Sequence, residues 1–133
     1  MKRKGFTLVE LLMVVIIIGI LVTIAVPSYF RSIERTKGGK AKAGLRAITN
    51  AQIQYRALQD QFTAAYADLT DVDLPDDYLD GDDGDWTYAS VATPSTVVTT
   101  ASRIAGPYSG QMVTMDQDGT YDNAAGAGPQ EWN

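Results

Sequence analysis

The sequence contains no cysteine and no histidine. Without cysteine, the chain has no disulfide bond, no thiolate nucleophile and no cysteine-ligated metal site. Without histidine, it lacks the usual general base and the commonest zinc ligand. The hydroxyls of residues 90–102 have no such base to activate them, no lysine follows residue 42, and no glycine-rich phosphate loop occurs. We therefore expect a protein that is not an enzyme.

Charge is distributed unevenly along the 133 residues. Ten of the eleven basic residues fall between Lys2 and Arg56, whereas thirteen of the sixteen acidic residues lie from Asp68 onward. An acidic carboxyl-terminal part repels phosphates, which argues against direct nucleic-acid binding by that part. A basic cluster favours a solvated helix face beside lipid headgroups, with a DNA- or partner-binding stripe as the alternative; its members are Arg31, Arg35, Lys37, Lys40, Lys42 and Arg46.

A long apolar run lies near the amino terminus. The twenty positions from Leu11 to Phe30 contain no charged residue. A helix of that length covers about 30 Å, the thickness of the hydrocarbon layer of a membrane. An ordinary secretory signal has a shorter apolar stretch and ends at a small-residue cleavage site. The run therefore predicts a retained membrane span.

Three residues of this region are unusual for a plain membrane anchor. Glu10 stands at the edge of the span, where an acidic side chain within lipid needs a partner or access to water. Gly19 and Pro27 interrupt a helical sequence, and proline removes one main-chain hydrogen bond. We interpret Gly19 and Pro27 as points of helix flexibility, which membrane spans commonly tolerate.

The stretch Lys2-Arg3-Lys4-Gly5-Phe6-Thr7-Leu8-Val9-Glu10-Leu11-Leu12 resembles the class III signal of type IV prepilins and pseudopilins. The resemblance extends to about Pro27. It implies a leader, residues 1–5, that a prepilin peptidase removes after Gly5, followed by methylation of the new amine of Phe6. It also places Glu10 at the family's characteristic acidic position. By the same analogy, the ammonium of Phe6 in one subunit would lie beside the Glu10 carboxylate of a neighbour in a helical filament.

The resemblance implies a function and a location. We expect a pilus subunit that waits in the inner membrane as a single-pass precursor, surrounded by lipid. The assembly machinery of that membrane would then polymerise it into an extracellular homo-oligomeric filament for adhesion, twitching motility or DNA uptake. A pseudopilin of type II secretion is one alternative, and a membrane-tethered module that binds calcium or another ligand is a second. Basic residues flank both ends of the span, so charge alone does not fix its orientation in the membrane. We expect the leader to lie in the cytoplasm because of its resemblance to the class III signal.

The sequence predicts an α+β fold in which one long helix packs on a small antiparallel sheet of three or four strands. Residues 6–30 form its membrane-spanning or filament-core half and residues 31–62 its amphipathic half, weakened at Gly38 and Gly39. Apolar residues recur at helical spacing in the second half: Ala41, Leu45, Ile48, Ala51, Tyr55, Leu58 and Phe62. Residues 63–133 form the head.

The head begins with a long irregular connection, residues 62–85, which is rich in Asp and turn-forming residues. Strands are predicted over 86–91, 96–103 and 111–115, from their β-branched and aromatic content. Residues 123–133 are interpreted as a loop or a loose tail, with Trp132 folded back onto the head. The layout resembles pilin heads, but the cysteine pair that closes a loop in many pilins is absent.

The acidic loop is the first candidate metal site. Carboxylates and flexible glycines suit a hard cation such as calcium, and the candidate ligands are Asp80, Asp82, Asp83 and Asp85. The spacing is not that of an EF-hand, so a solvated acidic loop is the alternative. Asp116, Asp118 and Asp122 have alternate spacing as well, for which a hairpin turn at Asp118-Gly119 is the alternative. Apart from such a calcium ion, we expect no cofactor.

Overall fold

A computed structural model describes residues 5–122. The predicted leader, apart from Gly5, and the predicted tail with Trp132 lie outside the described residues. The chain divides into two compact units, Met1–Glu34 and Arg35–Asn133, and the helix α1, Leu8–Gln59, contributes to both. Each unit is described by itself below.

The first unit is helical from Leu8 onward and apolar over its whole circumference. Its large side chains are exposed, from Phe6 and Leu8 to Ile24 and Phe30. By length and composition this helix is able to cross a membrane. A helix that is apolar on every side needs an apolar surrounding, because water disfavours that much exposed hydrocarbon.

The second unit packs the carboxyl-terminal half of α1 on a sheet of four strands. The strands are β1, Trp86–Ala92, β2, Val97–Arg103, β3, Met112–Asp116, and β4, Tyr121–Asp122. All neighbours are antiparallel, in the order β1-β2-β3-β4. The α+β prediction, with three or four antiparallel strands, is confirmed.

Alternating burial along the strands defines the face that meets the helix. Along β2, every second side chain from Val97 to Arg103 is buried. On the helix, the predicted apolar stripe supplies the other side of the core, as its period of three and four residues requires. One cluster joins the two layers: Ala41, Leu45, Ile48, Ala51, Leu69, Leu74, Trp86, Tyr88, Ala101, Val113 and Met115.

Gly44 permits a close approach between the helix and Tyr88 of the sheet. A Cβ atom at this position would lie 2.5 Å from the hydroxyl oxygen of Tyr88. The ring of Tyr88 is held by a hydrogen bond to Asp83 and by edge-on contact with Tyr78 at 5.4 Å, so it has little freedom to retreat. Glycine is therefore required at position 44 by close packing.

The helix ends earlier than predicted, at Gln59. Asp60 takes a left-handed conformation with φ of 58°, and its amide donates to the Arg56 carbonyl at 2.8 Å. The buried amide of Gln52 then fixes the reversing chain, because it both donates to and accepts from the main chain of Thr63. Phe62 is buried beyond the helix end.

Several sequence predictions need correction. Leu58 was assigned to the buried stripe but is 69% exposed. The predicted irregular connection contains two 3-10 helices, Tyr66–Asp71 and Asp76–Tyr78. The strands are shifted by about one residue at their ends, which is the usual uncertainty of element boundaries.

The predicted weak point at Gly38 and Gly39 is unbroken helix. Packing explains the difference, because Gly38 is buried and the neighbouring Lys37 carbonyl accepts a hydrogen bond from the Trp86 indole at 2.9 Å. Tertiary contacts therefore support helical backbone where propensity alone disfavours it.

Candidate functional site

Thr7 and Glu10 form a capping box at the start of α1. The hydroxyl oxygen of Thr7 accepts a hydrogen bond from the amide of Glu10 at 3.2 Å. In return, the carboxylate of Glu10 accepts from the Thr7 amide at 2.8 Å and from the Thr7 hydroxyl at 2.7 Å. These bonds satisfy main-chain donors that a helix start otherwise leaves unpaired.

The capping box gives Glu10 a partner within its own chain. Among residues 5–122, the Glu10 carboxylate hydrogen-bonds to Thr7 alone. Sequence analysis assigned Glu10 a partner in a neighbouring subunit and overlooked Thr7, although the Thr-x-x-Glu spacing signals such a cap. Phe6 is 89% exposed. The pairing of Phe6 with Glu10 between subunits stays a prediction.

Gly19 and Pro27 both lie inside the continuous helix. The hydroxyl of Thr23 donates to the Gly19 carbonyl at 2.9 Å, a local bond of the kind that can bend helices. Pro27 has no amide hydrogen to donate to the carbonyl four residues earlier, which belongs to Thr23. A Cβ atom at Gly19 would meet nothing within 4 Å. The proposed flexibility at Gly19 and Pro27 stays a prediction.

The amino-terminal residues are similar to those of known proteins. Residues 1–26 match a family model described as the prokaryotic N-terminal methylation motif. The type IV major pilin protein PilA of Myxococcus xanthus is 40% identical over 62 residues, which cover 47% of this chain and 28% of that protein. The chain is type IV pilin-like.

Two further relatives of this pilin-like chain bear different names. The type IV narrow pilus major component PilA5 of Thermus thermophilus is 43% identical over 51 residues, 38% of this chain and 44% of that protein. The type II secretion system core protein G of Escherichia coli is 36% identical over 55 residues, 41% of this chain and 38% of that protein. The chain spans less than half the length of each of these curated relatives.

In the head of this pilin-like chain, the end of the acidic loop is held by contacts of Asp83 and Asp85. The side chain of Asp83 is 2% exposed, and its two oxygens accept hydrogen bonds from the amides of Asp85 and Trp86 and from the hydroxyl of Tyr88. Lys40, on α1, lies 3.4 Å from the same carboxylate and donates to the Asp83 carbonyl at 2.8 Å.

Asp85 is the centre of a second set of contacts. Its carboxylate lies 2.9 Å from the buried guanidinium of Arg103 and 3.4 and 3.6 Å from the ammonium groups of Lys37 and Lys40. The hydrogen bond from Arg103 is the main cause that holds the pKa of Asp85 below its ordinary value. Partial burial acts in the opposite direction, and the charge of Lys37 adds to the lowering.

We name these five residues the loop clasp: Lys37, Lys40, Asp83, Asp85 and Arg103. Sequence analysis missed its cations, because it assigned the lysines to a solvated helix face. Burial raises the pKa of Tyr88, and so does its hydrogen bond to the Asp83 carboxylate. The neutral hydroxyl is therefore the form that this contact favours. The loop clasp fixes the acidic loop to α1 and to the end of β2.

The four predicted calcium ligands do not converge on one point. Among residues 5–122, no group of three or more acidic side chains is arranged to hold a metal ion. Asp82 accepts a hydrogen bond from the Gly84 amide, and Asp80 is exposed. At the second candidate, Asp116 accepts from the amides of Asp118 and Thr120, as the hairpin-turn alternative requires.

Calcium titration tests the acidic loop directly. We expect the melting temperature of the full chain to stay unchanged, because Asp83 and Asp85 already have cationic or amide partners. The same titration with Asp71→Asn, which removes an exposed carboxylate that is not a candidate ligand, is the control. A saturable rise in melting temperature that Asp83→Asn abolishes would establish the predicted site.

The lowered pKa of Asp85 predicts loss of stability in acid. A carboxyl whose folded pKa lies below its unfolded value, about 4, contributes stability above that value and loses it as the pH falls toward the folded pKa. We expect the melting temperature of the wild-type protein to decrease once the pH drops below about 4. The Asp85→Asn variant should be less stable than the wild type at neutral pH. Its melting temperature should decrease less as the pH is lowered. Parallel acid profiles for both proteins would contradict this assignment.

Proposed function

We propose that the chain is a structural subunit of a type IV pilus. A prepilin peptidase removes residues 1–5, the Phe6 amine is methylated, and the subunit waits in the inner membrane. The assembly machinery then stacks the apolar half of α1 into the core of an extracellular filament, which serves adhesion, twitching motility or DNA uptake.

The observation that carries this proposal is the combination of the methylation motif with an uncovered apolar helix. The motif spans residues 1–26, and the large apolar side chains from Phe6 to Val26 are exposed in the single chain. Lipid covers such a surface before assembly, and copies of the same helix cover it afterwards. A simple anchor needs the apolar length but neither Gly5-Phe6 nor Glu10.

A pseudopilin of type II secretion is the second candidate. The identity to the Escherichia coli core protein G, 36%, supports it, since this value is close to those of the pilus proteins. Electron microscopy with antibody against the head separates the two functions. Long labelled surface fibres support the pilus subunit, whereas labelling confined to the periplasm under normal expression supports the pseudopilin.

Mass spectrometry of the native protein tests the processing that both functions require. We expect the first residue to be Phe6, with its amine methylated, because Gly5 ends the basic leader. A Gly5→Val variant in the same cells is the matched control and should retain residues 1–5. Native protein that still begins at Met1 while the assembly machinery is active would overturn the proposal.

A further inference from the structure

Three basic residues follow one side of α1 within the head. Arg35, Lys42 and Arg46 are separated by seven and then four positions, which places them on the same side of a helix over about 16 Å. Arg35 and Arg46 are exposed, and Lys42 is half-buried. Among residues 5–122, none of the three forms an ion pair. We name these residues the basic stripe.

Two cations of the basic stripe lie over the same aromatic ring. The ammonium of Lys42 is 5.4 Å and the guanidinium carbon of Arg46 is 5.5 Å from the centroid of Tyr121. The Tyr121 hydroxyl donates to the Lys42 carbonyl at 3.2 Å, which ties the ring to the helix. Like charges four positions apart on a helix repel each other. The described head supplies no ion-pair partner to offset this repulsion, since Asp118 lines the groove beside Arg46 without pairing with it.

The acidic loop lies at the opposite edge of the sheet. The Gly81 carbonyl accepts a hydrogen bond from the Tyr88 amide at 2.7 Å, and Asp82 pairs with Thr87. These contacts seat the loop along the free edge of β1, whereas Tyr121 belongs to β4. The order β1-β2-β3-β4 therefore separates the acidic loop from the part of the basic stripe beside Tyr121 by the width of the sheet.

A hollow of about 440 Å³ at the acidic edge collects carboxylates. One lysine and five aspartates line it: Lys40, Asp76, Asp77, Asp80, Asp82 and Asp83. Lys40 and Asp83 already pair with each other in the loop clasp. The other four aspartates are exposed and, within the described ranges, form no ion pair. We name these four the acidic rim.

The two surfaces select the kind of partner. Lipid headgroups or a nucleic acid would neutralise the basic stripe but would repel the acidic rim. A second copy of the head carries both charges and satisfies both surfaces. Two complementary surfaces at different places on one molecule form a heterologous contact, which repeats from copy to copy and builds an open helical array unless it closes into a ring.

We propose that the basic stripe of one head docks against the acidic rim of a second copy. This inference rests on the proposed function, because polymerisation through α1 is what brings the heads together. Burial of the apolar half of α1 drives assembly, and the contact between heads sets which copies meet and in what register. Several charges act together in this contact, since one exposed ion pair contributes little.

Charge reversal tests the contact in cells that assemble the wild-type chain. We expect the double variant Lys42→Glu, Arg46→Glu to yield about tenfold fewer sheared surface filaments per membrane-bound subunit, because like charges would then meet. Asp76→Lys with Asp80→Lys should cause a similar loss. The chain that carries all four substitutions should recover most of the wild-type yield, since its two surfaces are again complementary.

Two further variants are the controls. Asp118→Lys makes the same reversal beside the basic stripe and should leave filaments at the wild-type level. Asp77→Asn neutralises one rim residue and should change the yield by less than about twofold. Melting temperatures of all variants, measured on the full chain in detergent micelles, should stay close to that of the wild type.

Three results would overturn the inference. Wild-type yields from both double variants would exclude the contact between heads and leave the proposed function intact. Loss with Lys42→Glu, Arg46→Glu that the four-substitution chain does not recover, together with normal filaments from Asp76→Lys, Asp80→Lys, would assign the basic stripe to lipid headgroups. Absence of filaments from the wild-type chain itself would contradict the proposed function and this inference together.

Discussion

Replacing Glu10 with Gln should abolish incorporation into filaments while leaving the protein inserted in the membrane at its normal level. Gln retains the oxygen that a capping box needs, so the hydrogen bonds to Thr7 can persist. It cannot neutralise the ammonium of a neighbouring Phe6. Removing one partner of a buried ion pair costs about 3 kcal/mol or more, which is over a hundredfold in an equilibrium constant.

A second variant separates the cap from the charge. Thr7→Val removes the capping hydroxyl but keeps the Glu10 carboxylate, and loss of an N-cap costs about 1 kcal/mol. We therefore expect a partial reduction in filaments for Thr7→Val and a complete loss for Glu10→Gln. The assay is quantification of sheared surface filaments against the membrane-bound subunit, with Asp77→Asn in the head as the control.

Normal filaments from Glu10→Gln would show that the carboxylate acts only as a helix cap and would remove the intersubunit pair from the proposal. If Thr7→Val reduced filaments more than Glu10→Gln, the same conclusion would follow, that the carboxylate acts only as a helix cap. Loss of the protein from the membrane in either variant would contradict the separation of insertion from assembly.

Sequence reasoning succeeded where the relevant residues are close together in the chain. The apolar run and the stripe through Ala41, Leu45 and Ile48 are periodic, and a period specifies which side of a helix is buried. The methylation motif is contiguous, so its match did not depend on the fold. The capping box was also readable, since Thr7 and Glu10 are three residues apart, but the acidic residue was considered without its neighbour.

The loop clasp could not be predicted in the same way. Lys40 and Asp83 are 43 positions apart, and Trp86 and Lys37 are 49 apart, so only the packed helix and sheet bring them together. Charge counting assigned the lysines to lipid headgroups and the aspartates to water or calcium. Arg103 is an isolated cation in an acidic region, and its burial was not considered, because arginine is rarely buried unless it is paired.

Replacing Asp85 with Ala should destabilise the head by about 3 kcal/mol, because it leaves the buried guanidinium of Arg103 without that carboxylate. Removing the other partner of this ion pair, with Arg103→Met, should lower the free energy of unfolding by less. Asp85 is about one-third exposed and keeps the contacts with Lys37 and Lys40, so its charge stays partly solvated and partly paired. The asymmetry follows from the different burial of the two partners.

A double-mutant cycle measures the interaction itself. In the Asp85→Ala, Arg103→Met double variant neither charge remains, so we expect it to be more stable than Asp85→Ala alone. The measurement is chemical unfolding of the full chain followed by tryptophan fluorescence, since the ring of Trp86 lies 5.6 Å from the Arg103 guanidinium carbon. Asp80→Ala, an exposed acidic position in the same loop, should change stability by less than about 0.5 kcal/mol. If Asp85→Ala proves as mild as Asp80→Ala, the contact between Asp85 and Arg103 does not hold the loop in place, and attachment must rest on Asp83, whose carboxylate binds two amides, the Tyr88 hydroxyl and Lys40.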